Sequence, residues 1–278
     1  MSYKTLLVHL DTSNRVQARL EIALRLARRF DAHLTGLFAT FVPDPREFRV
    51  MAGSASWFET HRKLREEQRG AAERIFRAEL LRAGVEGDWI AASQDAEQSV
   101  ITHSRYADLI IVGQSDPDDP ETYVADRFPE TVVLTSGRPV LVVPYAGRHE
   151  AVGSRALVAW NGSREASRAV HDAMPFLARA ERVTVVRINT PGSPVPVRAP
   201  GTDITQTLAR HGANVDIVEI SNDIDETCGD ALLSLAADEA YDLVVMGAYG
   251  HARWKEQVVG GVTRTMFDSA TLPVLMSH

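Results

Sequence analysis

The 278-residue chain has a single cysteine, Cys228. That excludes an internal disulfide and any metal site built from several cysteines. No apolar run approaches the ~18 residues that a membrane helix needs. Met1 to Leu10 carries one lysine and no long apolar core, so no secretory signal is read there. A basic excess is missing as well: 30 Lys and Arg stand against 37 Asp and Glu, a formal net charge of −7. This argues against a general nucleic-acid binder. The Walker sequence, GxGxxG and His-x-x-x-His are absent, and no serine sits in a Gly-x-Ser-x-Gly frame. What is left, with 45% hydrophobic and 24% charged residues, is the composition of an ordinary soluble globular chain. Its length suggests about two domains, and a cytoplasmic protein acting away from membranes and nucleic acid is the expectation.

The strongest positive feature lies near the end. Asp242-Leu243-Val244-Val245-Met246 is an apolar run of strand length that stops at Gly247; Gly250 follows, then nine residues, then Gly260-Gly261-Val262-Thr263. Glycine permits close approach of backbone to a ligand, and free N–H groups ahead of a helix favour an anion. The pattern reads as a phosphate loop.

The chain is also written twice. Thr5 to Ser13 aligns with Arg155 to Ser163 at an offset of 150, which pairs Asp11 with Asn161. Ala107 to Gly113 aligns with Tyr241 to Gly247 at an offset of 134, and Arg138 to Val143 aligns with Leu272 to Ser277 at the same offset. The first copy therefore holds 150 − 134 = 16 extra residues between Asp11 and Gly113. The segment from Phe41 to Arg62, rich in Pro, Gly and Ser, is where they are expected. The two domains are expected at residues 1–147 and 153–278.

Each copy alternates strands and helices. In the second, Ala166, Val170, Ala173 and Leu177 recur at helical spacing, with Pro175 marking a kink or an early end. Val16, Leu20, Ala23 and Ala27 do the same in the first. Alternation of this kind predicts an α/β fold with a parallel sheet and helices on both faces. Ligands of such sheets bind beyond the carboxyl ends of the strands, where strand order reverses. If the first strand lies beside the fourth, the loops after Trp160 and Met246 meet there.

These residues resemble the universal stress protein family in a tandem, two-domain form, over essentially the whole chain. The resemblance rests on Gly247-x-x-Gly250, nine residues and Gly260, together with Gly162-Ser163 after the first strand. It implies two open five-stranded parallel sheets of order 3-2-1-4-5, packed as a pseudo-dimer whose edge strands pair, with a homodimer as a further allowed assembly. It also implies ATP, with or without Mg2+, or another adenine nucleotide, bound in the second copy. Carried over, Ala159, Trp160 and Asn161 border adenine and ribose, and Val186 and Ile188 lie near the base. Met246, Gly247 and Gly250 border ribose and phosphates. Gly260, Gly261, Val262 and Thr263 close around the phosphates, with His251 adding positive charge nearby. Two positions depart from the family pattern: Asn161 stands where an acidic residue is usual, and Gly261 stands where a Ser or Thr is usual. Losing one good polar contact weakens binding by about 0.5–1.5 kcal/mol.

The first copy reads differently. At the offset of 134, Asp116 replaces Gly250 and Asp126 replaces Gly260, and the loop from Gln114 to Asp126 gains five acidic residues and two prolines. This copy is expected not to bind nucleotide, its loop being a solvated acidic segment. No spacing demands a catalytic residue or a metal ligand anywhere. The chain is therefore expected to be a nucleotide-binding stress-response protein with slow ATP hydrolysis at most. The alternative is an ATP-independent interaction module that serves a protein partner the sequence does not name.

Overall fold

The computed structural model describes residues 2–41, 55–92, 96–189, 203–221, 227–250 and 261–278. It divides into two compact units, one formed by Tyr3–Phe128 and the other by Pro129–His278 with Ser2. In the first unit four parallel strands, β1 (Thr5–Leu10), β2 (His33–Phe38), β3 (Gly87–Ala91) and β4 (Leu109–Gly113), pair in the order β3-β2-β1-β4. The helices α1 (Val16–Phe30), α2 (Ala55–Ala83) and α3 (Ala96–Ser104) connect them.

The second unit begins within α4 (Phe128–Thr135) and continues with β5 (Val140–Val143) and β6 (Arg155–Ala159). Helices α5 (Arg164–Asp172) and α6 (Met174–Leu177) precede β7 (Arg182–Asn189). Then come α7 (Ile204–Arg210), β8 (Val215–Ser221), α8 (Cys228–Asp238), β9 (Leu243–Gly247), α9 (Val262–Ser269) and β10 (Val274–Ser277). The strands run β8-β7-β6-β9-β10-β5. The first five are parallel and follow the expected order 3-2-1-4-5. The sixth, β5, pairs antiparallel with β10. The last strand of the first copy therefore joins the second unit, and the two edge strands cover each other, as edges with unpaired N–H and C=O groups require.

Pro175 behaves as read. Helix α5 stops at Asp172, and α6 starts afresh with the proline in its first turn, where the missing N–H does no harm. Among the described residues the first copy has the longer helix between its second and third strands: α2 has 29 residues and α7 has 7. Part of the Phe41–Arg62 segment, residues 42–54, lies outside the described residues. Phe76 anchors α2, its ring filling the space above Gly36, where an added methyl would come within 2.7 Å of the ring.

One device recurs in both units. Asp108, ahead of β4, accepts the N–H groups of Lys4 and Thr5 at 2.7 and 3.0 Å. Asp242, ahead of β9, accepts those of Gly153, Ser154 and Arg155 at 2.8–3.0 Å. Each carboxylate fastens the start of the first strand to the start of the fourth. Asp242→Ala leaves three donors without their acceptor. It should lower stability by about 2–3 kcal/mol, measured by urea denaturation, since hydrogen bonds to a charged group contribute about 1.5–3 kcal/mol.

Candidate functional site

The second unit brings its candidate residues to the carboxyl ends of β6, β7 and β9. Register sets Ala159 between Val186 on one side and Met246 on the other. Trp160 continues the ladder, its N–H donating to Val186 O at 2.9 Å. Asn161 is exposed and turns its Oδ1 back to the N–H of Ser163 at 3.0 Å. Gly162 takes a left-handed φ of 74°. Ser163 then caps α5, accepting from Ala166 N–H at 3.1 Å. Chain reversal and helix start are thus both encoded in Asn161-Gly162-Ser163.

The glycines after β9 serve close approach rather than left-handed turning. The left-handed residue of this turn is Tyr249, with φ 55°. A methyl on Gly247 would stand 2.5 Å from the backbone N of Ala166, so α5 lies directly on β9 there. A methyl on Gly250 would stand 2.9 Å from Ser163 Oγ and 3.1 Å from Glu165 Oε2. The loop after β9 and the turn after β6 are therefore in contact, at the point where strand order reverses around β6.

Thr263 is buried in the first turn of α9, and its Oγ1 accepts from Tyr249 N–H at 3.3 Å, which leaves the hydroxyl hydrogen to donate. Gly261 caps α9 in an extended conformation, and Val262 is its first helical residue. Val186 and Met246 are buried and line the strands rather than an open wall. Ile188 sits two residues beyond Val186 on β7, paired with Ile220. His251 and Gly260 lie outside the described residues.

Three residues that sequence reasoning passed over belong here. Glu165, the second residue of α5, is nearly buried beneath Gly250. His278 donates from Nδ1 to Ala248 O at 3.0 Å. Tyr249 reaches Glu130 Oε2 with its hydroxyl at 2.9 Å. The available signal for Glu165 was an acidic residue in the first turn of a helix that follows a strand directly.

In the first unit the same location is filled by the chain itself. Arg19, which aligns with Ala169, is buried with Nη2 2.7 Å from Asp11 Oδ2. A methyl on Gly113 would meet its guanidinium at 2.0 Å. Ser13 donates to Asp11 from both N–H and Oγ, at 3.1 and 2.6 Å. Arg19 Nε finds no hydrogen-bond partner among the described residues. Burial pushes the Asp11 carboxyl up, but the Arg19 and His9 charges and the Ser13 hydrogen bond outweigh it and hold the pKa below the ordinary value. His9 donates from Nε2 to Ala39 O at 2.7 Å and packs on Phe128. Burial, helped by the Arg19 charge and opposed by Asp11, lowers its pKa from 6.5 to about 4.

The acidic loop keeps Asp118, Glu121 and Asp126 exposed, as its sequence suggests, and departs from that reading at Asp119. Asp119 is buried and accepts from Asn14 N–H at 2.9 Å and Glu121 N–H at 3.1 Å. Glu121 in turn accepts from the Thr12 hydroxyl. The loop folds onto the β1–α1 turn because that turn offers donors which its carboxylates can satisfy.

The universal stress protein family matches residues 2–144 and 154–278, and the chain belongs to that family as a tandem pair. A universal stress protein from Archaeoglobus fulgidus is similar over 98% of this chain and 95% of its own, at 16% identity and a TM-score of 0.68. A universal stress protein from Pseudomonas aeruginosa is similar over 99% and 93%, at 16% identity and a TM-score of 0.58. A universal stress protein solved in complex with cAMP covers 45% of this chain and 97% of its own, at 19% identity and a TM-score of 0.34. At these identities the likeness concerns the fold. No curated protein matches the chain. Among the described residues no helix is long and apolar enough to cross a membrane.

Proposed function

We propose that this family member binds an adenine nucleotide in its second unit and turns it over slowly or not at all. The observation that carries the reading is the contact between the Gly247–Gly250 turn and the Ser163 cap at the point where strand order reverses, the usual ligand position of such sheets. Backbone N–H groups and the Thr263 hydroxyl supply neutral donors suited to a phosphate. Catalysis would need a positioned water and charge stabilisation besides, and no described residue is arranged for that. The first unit takes no nucleotide in this reading, because Arg19 and the acidic loop occupy the corresponding place. A cytoplasmic setting, a homodimer and a protein partner belong to the same proposal.

Mass spectrometry of nucleotide released from freshly purified protein, followed by equilibrium binding of ATP and AMP, tests it. One equivalent per chain is expected, lost in a Gly250→Asp variant that keeps the wild-type circular dichroism spectrum. Two equivalents would contradict the assignment of the first unit. No binding at millimolar nucleotide favours the second reading, an interaction module, which the replacements Asn161 and Gly261 support.

A further inference from the structure

Glu165 faces the same site with the wrong charge for a polyphosphate. Its side chain is 5% exposed. Gly247 and Gly250 bracket it: a methyl added to the first would stand 2.8 Å from its Cβ, and one added to the second 3.1 Å from its Oε2. The carboxylate therefore lies under the turn that joins the two glycines. Burial pushes its pKa up, but the Arg164 hydrogen bond, its own N–H and the charges of Arg164 and His278 outweigh this and hold the group ionised. Arg164 pairs with Oε1 from the solvent side, its own side chain 88% exposed. That leaves Oε2 as the oxygen turned toward Gly250.

We propose that Glu165 sets the charge limit of this site, so that it takes an adenine nucleotide with one phosphate in preference to the triphosphate. The proposal rests on the nucleotide reading above. A buried carboxylate is not moved aside by an arriving anion, because α5 is fixed against β9 at Gly247. Each further phosphate adds negative charge near Oε2. The second copy thus combines neutral donors, which attract a phosphate, with one fixed anion, which penalises several.

Calorimetric titration of adenosine, AMP, ADP and ATP into wild type and Glu165→Gln, in buffer free of divalent cations, decides the matter. AMP should bind wild type at least about fivefold more tightly than ATP, the ratio that a ~1 kcal/mol like-charge repulsion at 4 Å in water produces. Glu165→Gln should bring the two affinities together by strengthening ATP. The wild-type series stands by itself if the variant folds poorly. Equal affinities for AMP and ATP in wild type overturn the charge limit and leave nucleotide binding intact. Absence of binding for every ligand in wild type and variant overturns the nucleotide reading, and the charge limit with it.

Discussion

Arg19→Met should destabilise the first unit by about 3–5 kcal/mol, the usual consequence of removing one partner from a buried ion pair. Above about pH 4, where His9 is neutral, its guanidinium is the only cation within ion-pairing distance of Asp11 among the described residues, and both side chains of the pair are 3% exposed. The variant leaves a carboxylate buried without a counterion. The double variant Asp11→Asn with Arg19→Ala should recover much of the loss, since it removes both charges. The second copy is already built that way, with Asn161 and Ala169 at these positions. Urea denaturation of Asp11→Asn, Arg19→Ala and their double variant gives the coupling directly. Additive losses would show that the pair is not a unit.

The same cluster fixes a pH dependence. The unfolded chain protonates His9 near its ordinary 6.5, whereas the folded chain resists until about 4. Between these values the unfolded state binds more protons, so wild-type stability falls as pH falls, by up to ~3 kcal/mol. Asp11, held below its ordinary pKa, adds a further loss at still lower pH. In Arg19→Met the Asp11 carboxyl loses the cation that held it ionised. The folded state then takes up protons more readily, and the slope between pH 6.5 and 4 should flatten or reverse. A slope identical to wild type would show that Arg19 does not govern this field.

Gly247→Ala should cost about 3 kcal/mol, at the upper end of overpacking penalties. The obstacle is backbone, with the Ala166 N and Glu165 C both 2.5 Å from the added methyl, and a helix start cannot rotate aside as a side chain can. Helix α5 must lift from β9. Gly250→Ala should be far milder, because its neighbours are the tips of Ser163 and Glu165. Thermal melts of the two variants separate a packing glycine from one that shapes the site. Equal losses would mean that both glycines serve packing.

That contrast explains what the sequence could and could not reveal. Helical and strand periods, the two offsets and Pro175 placed the elements, because burial patterns are local. The glycine spacing located the candidate site for the same reason. Whether a glycine turns the chain or admits a neighbour depends on what packs against it. The left-handed position fell to Tyr249, and no residue preference announces that. Arg19 was invisible as a site residue because an arginine on an otherwise apolar helix face reads as surface. It is buried only because Asp11, eight positions earlier, closes the neighbouring strand. Asp119 looks solvated in sequence for a similar reason: its donor, Asn14 N–H, is 105 residues away.

The pairing of β5 with β10 sets a timetable. About 130 residues separate Val142 from its partner Val274, so at ~5–20 residues per second of synthesis roughly 7–26 s pass before the mate of β5 is made. Throughout that interval the nascent first copy carries an apolar strand, Val140-Leu141-Val142-Val143, whose edge toward β10 is still without its mate. Any process that lengthens the delay, such as a translational pause in the second half or truncation before β10, should show itself as aggregation of newly made chain rather than as lost ligand binding.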